Sequence, residues 1–164
     1  GGADVILIPE ISYDLERVAD CIRDRDKLGA RFSIVVVAEG AHPKDGGVTL
    51  IEAAHGGHAE RLGGIGIRCA AQLSGLTGKE TRYVVLGHLQ RGGSPTAFDR
   101  TLATRFGGKA VELLMKGQFG KMVANHPPDL VPIPLGDVVG KTKTVPLDYD
   151  LLLTARALGV SFGD

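Results

Sequence analysis

Two short apolar runs joined by a helical pattern constrain this chain more than any other feature of its sequence. The runs are Asp4–Pro9 and Phe32–Ala38, and their consecutive apolar residues are typical of strands buried on both faces. Asp14 is a suitable N-cap and Gly29 a suitable end for an intervening helix. Its apolar residues follow the helical spacing i, i+3, i+4, i+7 and are Leu15, Val18, Ala19 and Ile22. Because a helical crossover joins parallel strands, the sequence predicts a βαβ unit in a three-layer α/β sandwich with a mainly parallel sheet flanked by helices.

The rest of the chain shows further elements separated by glycine and proline. In chain order we predict a helix at about His58–Ser74, a third strand at Thr81–Leu86, a helix from an N-cap at Ser94 to Lys116, extended pieces at Met122–Asn125 and Leu130–Ile133, and a helix at about Asp148–Leu158. Gly117 and Gly159 are expected to end the last two helices. The stretch Gly40–Gly57, rich in glycine and charge, is expected to be a surface loop.

Charge and hydropathy exclude several classes of function. Lys and Arg together number 19, as do Asp and Glu, so no global field favours nucleic acid or anionic lipid. The apolar runs are too short to span a bilayer. Cys21 and Cys69 are isolated and are expected to be reduced, buried and structural. With no secretory signal pattern in the chain, we expect a cytoplasmic protein.

Polar residues follow the predicted strands, at the sheet edge where open α/β sheets bind ligands. Glu10 follows the first strand, Glu39 the second, and His88 and Arg91 the third. Such groups suit a ligand that carries hydroxyls and an anion, and the two glycines after Arg91 allow close approach of the backbone. The predicted helix at Ser94 would add exposed N–H groups to a phosphate site. The alternatives are a surface arginine beside a turn, a partly buried histidine and a solvated loop glutamate.

Histidines also raise the question of a metal. His55 and His58 are three residues apart and His42 lies nearby, but no third and fourth ligand follow in the spacing of a zinc site. We therefore predict no metal site in this chain.

A longer motif resembles one family. The run Thr81–Pro95, which contains Gly-His-Leu-Gln-Arg-Gly-Gly-Ser-Pro, and the following Phe98–Arg100 are similar to the signature of the phosphofructokinases. Gly2–Asp4 leading into Ile8–Glu10 resembles the same family's substrate strand. The resemblance covers nearly the whole chain.

The resemblance implies a function and a set of binding residues. Glu10 would hydrogen-bond the hydroxyls of fructose 6-phosphate, and His88 and Arg91 would hold the sugar and its 6-phosphate. Arg82 resembles the family's arginine that reaches into a neighbouring subunit's site, which implies a homodimer or homotetramer. Asp99 would instead organise the loop and the start of the helix.

The resemblance also indicates what is missing. Family members carry a Gly-rich phosphate loop, an acidic metal site and a Thr-x-Asp-x-Asp motif with the catalytic base, and none of these occurs here. Residues 1–164 are therefore interpreted as one domain, the C-terminal substrate-binding part of a longer 6-phosphofructokinase whose N-terminal nucleotide and catalytic part is absent. The complete enzyme would use Mg²⁺ with ATP or diphosphate. The chain alone would hold no catalytic residue and would not turn over.

Two other interpretations remain open on the sequence alone. The first is a non-catalytic sugar-phosphate-binding or regulatory module of the same architecture. The second is a flavodoxin-like nucleotide binder, although Pro9–Ser12 stands where such a protein has a glycine-rich turn. The family's bacterial effector site uses two lysines before the second strand, and Leu28–Arg31 offers one cation there, so we do not expect that regulation.

Overall fold

The computed structural model describes residues 2–46, 50–52, 61–62 and 64–164. It divides into two compact units, described separately: Gly1–Val85 with Thr144–Asp164, and Leu86–Lys143. The strands of the described ranges are β1 (Val5–Leu7), β2 (Val35–Val37), β3 (Leu50–Glu52), β4 (Arg61–Leu62), β5 (Lys121–His126) and β6 (Asp129–Pro134). The α-helices are α1 (Leu15–Lys27), α2 (Ile65–Thr77), α3 (Ala97–Met115) and α4 (Asp150–Ala157). None of these helices combines the length and apolar character needed to cross a membrane.

The βαβ prediction is confirmed. Strands β1 and β2 pair in parallel, with Val5 opposite Val35 and Leu7 opposite Val37. Helix α1 connects them and begins after Asp14, whose carboxylate accepts a hydrogen bond from the Glu16 N–H at 2.9 Å. This cap satisfies one of the N–H groups that a helix start leaves unpaired.

A short C-terminal segment lies on the other side of β1. Ser161 forms a parallel bridge with Val5. The Ile6 N–H donates to the Ser161 carbonyl at 2.9 Å, and the Ser161 N–H donates to the Asp4 carbonyl at 3.0 Å. Strand β1 is therefore flanked on both edges, by β2 and by the segment around Ser161.

Helices cover both faces of this sheet. Val5 and Leu7 belong to a core that includes Val18 and Ala19 of α1 together with Ile65, Cys69 and Leu73 of α2. The alternate residues Ile6 and Ile8 pack on a second cluster formed by Ile11, Leu152 of α4 and Phe162. Successive strand residues point to opposite faces, so the unit has three layers, and the predicted α/β sandwich is confirmed.

The predicted third strand at Thr81–Leu86 is wrong. No strand is assigned to these residues, and Tyr83, Val84 and Val85 are all more than half exposed. A β-branched run forms a strand only when a neighbouring strand accepts and donates its hydrogen bonds. The edge of β1 that faces away from β2 already pairs with the segment around Ser161.

Helix α2 begins later than predicted. Arg61 and Leu62 lie in β4, which pairs antiparallel with β3, so the helix does not include them. Residues 53–60, where its start was expected, lie outside the described residues, as does part of the predicted Gly40–Gly57 loop. The predicted buried positions Ile65, Cys69, Ala70 and Leu73 are confirmed; the predicted Leu62 side chain lies outside the described residues.

The second unit contains a short 3-10 helix, α3 and a hairpin. The 3-10 helix spans Gly87–Arg91, and α3 lies against the antiparallel pair β5 and β6. The predicted extended pieces are therefore confirmed, and their pairing is a further finding. Helix α3 ends at a Lys116 C-cap followed by Gly117 with a φ of 65°, as predicted. In the first unit, α4 likewise ends before Gly159, with a φ of 85°.

Candidate functional site

Glu10 lies on a tight turn just after β1. The Ile11 N–H donates to the Ile8 carbonyl at 3.2 Å, and the Ile11 side chain is buried against Leu152 and Phe162. This packing holds the turn in place. The Oε1 atom of Glu10 accepts a hydrogen bond from the Val145 N–H at 2.8 Å.

The second carboxylate oxygen of Glu10 has no such partner. Its Oε2 atom is buried and makes no hydrogen bond. Among the described residues, it is the only buried side-chain nitrogen or oxygen atom without a hydrogen-bond partner. A buried acceptor left unsatisfied costs about 1–3 kcal/mol. Such groups are rare in folded proteins and mark places where a missing donor would stabilise the structure.

Glu39 occupies the corresponding position after β2. The Ala38 N–H donates to the Leu7 carbonyl at 2.9 Å, and the Ala41 N–H donates to the Ala38 carbonyl at 3.0 Å. The chain thus turns sharply at the carboxyl end of β2 and leaves Glu39 exposed. Because β1 and β2 are parallel, Glu10 and Glu39 follow the same edge of the sheet, as the strand-end rule predicts.

Arg82 lies in the extended segment that replaces the predicted third strand. Its guanidinium is 2.8 Å from Glu80 Oε1, and the Arg82 and Glu80 side chains are 85% and 75% exposed. Ion pairs at this degree of exposure contribute about 0–1 kcal/mol. Arg82 can therefore exchange this partner for another at small cost.

His88 and Arg91 belong to the 3-10 helix of the second unit. Residues three apart eclipse one another in such a helix, so the two side chains share one face, and both are exposed. Gly93 has a φ of 114°, which only glycine adopts readily. Gly92 is extended, with a φ of −83° and a ψ of 165°. The structure brings His88 and Arg91 together, whereas Glu10 and Arg82 belong to the other unit.

The start of α3 differs from the prediction. Its N-cap is Thr96 rather than Ser94, and the cap is a capping box with Asp99. The Asp99 N–H donates to Thr96 Oγ1, while Asp99 Oδ2 accepts hydrogen bonds from the Thr96 hydroxyl and N–H. The hydrogen bond from the Thr96 hydroxyl, followed by that from its N–H, lowers the pKa of the Asp99 carboxyl. The helix start thus carries its own anion, and the predicted N-cap at Ser94 is wrong. Asp99 organises the start of the helix, as expected.

The two cysteines are free thiols. Cys69 is buried, and its Sγ lies 3.6 Å from the hydroxyl of buried Tyr13. Burial is the main cause that raises the pKa of both thiols, Cys69 and Cys21. The thiolate is the reactive form, so neither residue is suited to be a nucleophile. The prediction of a buried residue is confirmed for Cys69 and wrong for Cys21, which is partly buried and packs against the main core.

Possible metal ligands do not converge in the described ranges. No group of three or more His, Cys, Asp or Glu side chains there is placed to hold a metal ion. His42 Nδ1 lies 3.2 Å from the Ser12 hydroxyl. His55 and His58 lie outside the described residues.

One feature of this site was not expected from the sequence. The donor to Glu10 is the backbone N–H of Val145, far along the chain. A backbone donor leaves no signal in residue type, because every residue except proline carries one.

The fold and these residues define an α/β protein with a carboxylate at a parallel strand end and a His–Arg pair beside a glycine turn. The family model described as phosphofructokinase matches residues 1–114, and the chain belongs to that family. The ATP-dependent 6-phosphofructokinase of Chloroflexus aurantiacus is 52% identical over 164 residues, which are all of this chain and 44% of that protein. The pyrophosphate–fructose 6-phosphate 1-phosphotransferase of Streptomyces coelicolor is 46% identical over 99% of this chain and 46% of its own length.

Solved structures agree on the fold. A pyrophosphate-dependent phosphofructokinase from Nitrosospira multiformis superposes with a TM-score of 0.66 at 24% identity, covering 98% of this chain and 41% of that one. The chain thus spans less than half the length of the relatives named here.

Proposed function

We propose that this chain is the fructose 6-phosphate-binding, C-terminal part of a 6-phosphofructokinase. In this proposal residues 1–164 act as one substrate domain, and the nucleotide-binding and catalytic part belongs to sequence outside the chain. The observation that carries the proposal is the Glu10 carboxylate at the end of β1, with one buried oxygen that lacks a donor. The family match over residues 1–114, which include all four proposed binding residues, supports it.

Glu10 would accept hydrogen bonds from the sugar hydroxyls. An ionised carboxylate is an acceptor only, and each of its oxygens takes more than one donor. A hydroxyl bound at Oε2 would remove the cost of leaving that atom unpaired. Hydrogen bonds to a charged group contribute about 1.5–3 kcal/mol each, enough to prefer a polyol to a ligand without hydroxyls.

His88 and Arg91 would bind the 6-phosphate. Both are exposed on one face of the 3-10 helix, so a phosphate can contact the two side chains at once. The guanidinium of arginine matches phosphate geometry with two parallel hydrogen bonds. The 114° φ of Gly93 turns the chain beside this face without a side chain in the way.

Arg82 would act in another subunit's site. Its partner Glu80 is on the surface and the pair is largely exposed, so redirecting the guanidinium to a neighbour's phosphate costs little. We therefore propose a homodimer or homotetramer in which each site is completed by the Arg82 of the partner.

The complete enzyme would transfer a phosphoryl group from ATP or diphosphate to the sugar 1-hydroxyl, giving fructose 1,6-bisphosphate in glycolysis. Such transfer depends on positioning and on neutralising charge, with Mg²⁺ as the usual cation. In this proposal the metal and the phosphoryl donor are bound by the N-terminal part, which lies outside this chain. What this chain contributes is the orientation of the acceptor sugar. Two free thiols agree with a cytoplasmic enzyme.

A calorimetric titration with fructose 6-phosphate tests the proposal. We expect the chain to bind the sugar, and Arg91→Ala to weaken binding by about 10- to 100-fold, the equivalent of one charge-assisted contact. Arg31→Ala, which removes an exposed arginine outside the proposed site, is the matched control and should bind as the wild type does. Equal affinity of the two variants would show that Arg91 does not hold the phosphate.

If the chain alone shows no binding, the same titration on the full-length protein separates two explanations for that result. Binding by the full-length protein alone would mean that the site needs the remainder of the enzyme or a partner's Arg82. No binding by either would contradict the proposed function and favour the alternative of a regulatory module with another ligand. The chain alone is expected to show no conversion of fructose 6-phosphate with either phosphoryl donor.

A further inference from the structure

The Glu10 carboxylate is held from a distant part of the chain. Its Oε1 receives the Val145 N–H at 2.8 Å, and residue 146 is a proline, which has no N–H to offer. Oε2 remains unpaired. One oxygen is thus held by the backbone, and the other is a buried acceptor that no donor of the described residues satisfies.

We propose that the Val145 N–H is a positioning group that orients Glu10 for the sugar hydroxyls. The inference rests on the proposed function and adds a residue that lies outside the family match, which ends at residue 114. A glutamate side chain has three rotatable bonds, and a carboxylate is planar. Fixing Oε1 therefore fixes the direction of Oε2, and the entropy of ordering the side chain is lost before the substrate arrives.

Glu10 lies beside a residue of the second apolar cluster, and Val145 lies shortly before the helix that contributes to that cluster. Ile11, the neighbour of Glu10, is buried against Leu152 of α4 and Phe162. Helix α4 follows Val145 closely, and the Tyr149 N–H at its start donates to the Pro146 carbonyl at 3.0 Å. The cluster therefore packs directly beside the acceptor residue and holds the helix that follows the donor, which is the support that a positioning contact needs.

The kinetic consequence follows from where Glu10 acts. The proposal places Glu10 on sugar hydroxyls other than the 1-hydroxyl that accepts the phosphoryl group, so its contacts would stabilise the bound substrate and the transition state equally. Loss of such uniform binding raises KM and leaves kcat unchanged. A purely structural role for the Val145 N–H would lower stability without this selective change.

An amide-to-ester substitution at position 145 is the direct test. Incorporating the α-hydroxy analogue of valine in the full-length enzyme removes the N–H and keeps the side chain. We expect KM for fructose 6-phosphate to rise about tenfold, with kcat within about twofold, the size of one hydrogen bond to a charged group. The same ester at Val139, whose N–H donates to the Leu135 carbonyl at 3.0 Å, is the matched control and should leave KM unchanged. Val145→Pro removes the same N–H by ordinary mutagenesis and should shift KM in the same direction.

A double-mutant cycle with Glu10→Ala assigns the effect to this pair. Once the carboxylate is gone, the ester at position 145 should have no further effect on kcat/KM. An equal effect with and without Glu10 would overturn the proposal, and so would an unchanged KM. A lower KM would overturn it too, because it would mean that the segment obstructs Glu10. If the unmodified full-length enzyme does not bind fructose 6-phosphate, the proposed function itself is wrong. If the enzyme binds the sugar and the ester leaves KM unchanged, only the positioning role of the Val145 N–H is wrong.

Discussion

Among the glycines of the described residues, Gly163 has the least room for a side chain, and replacing it with alanine gives a quantitative test of the packing. Its φ is 75°, and an added Cβ would lie 2.9 Å from Tyr13 Cβ, 3.0 Å from Val18 Cγ2 and 3.1 Å from Leu7 Cδ2. These three side chains are almost fully buried. A close-packed interior has no space into which they could retreat.

The expected loss combines two unfavourable effects and one favourable one. A left-handed backbone costs an L-residue about 1–2 kcal/mol, and overpacking a core costs about 1–3 kcal/mol. The alanine also restricts the unfolded chain, which returns about 0.4–1 kcal/mol. For Gly163→Ala we expect the free energy of unfolding to fall by about 2–4 kcal/mol.

Gly159→Ala supplies the matched control. Gly159 has a similar φ of 85°, but an added Cβ there meets nothing within 4 Å. It should lose only the backbone contribution, about 1 kcal/mol after the entropy gain. Urea unfolding with linear extrapolation measures both losses. Equal losses for the two variants would refute the reasoning, because they would show that the core absorbs a methyl group at position 163 without strain.

Two further predictions concern α3 and the C-terminal ion pair. Thr96→Ala should lower the free energy of unfolding by about 1 kcal/mol through loss of the capping box. The control Thr104→Ala removes a hydroxyl that donates to the Arg100 carbonyl and should lower it clearly less. Equal losses for the two variants would show that the capping box does not stabilise the helix. The hydrogen bond from Arg156 lowers the pKa of the Asp164 carboxyl from its ordinary 3.8. Stability from this pair is therefore present above pH 3.8 and is lost as the pH falls through the depressed folded value. Arg156→Gln should flatten that acid dependence in urea unfolding measured across this range; an unchanged pH profile would show that the half-exposed pair is screened by solvent.

Local patterns in the sequence predicted the first unit well. Asp14 and Gly29 bound α1 because an N-cap and a left-handed C-terminal residue act through their immediate neighbours. The burial of β1 on both faces was also predictable from its own residues, Val5 to Ile8, because consecutive apolar residues indicate a strand that is covered on both sides.

Pairing between distant segments was not predictable in the same way. Thr81–Leu86 has the composition of a strand, yet the place beside β1 is taken by the polar residue Ser161, which no propensity would select. At α3 the sequence pattern predicted Ser94 as the N-cap, whereas the structure places the cap at Thr96, which forms a reciprocal pair with Asp99 three residues later. For the site, the strand-end pattern indicated Glu10, His88 and Arg91, and the resemblance added Arg82. All four stay predictions as binding residues, while the Val145 N–H is visible only in three dimensions.

The bridge between Ser161 and Val5 has a consequence for synthesis on the ribosome. The second unit is contiguous, Leu86–Lys143, whereas the first is assembled from Gly1–Val85 and Thr144–Asp164. Closing so long a loop is entropically costly and slow, and it cannot begin until residue 161 has left the exit tunnel. The hairpin unit is thus free to form during translation, before the bridge between Val5 and Ser161 can form. In that interval the nascent chain is open to capture by chaperones or by other strand edges.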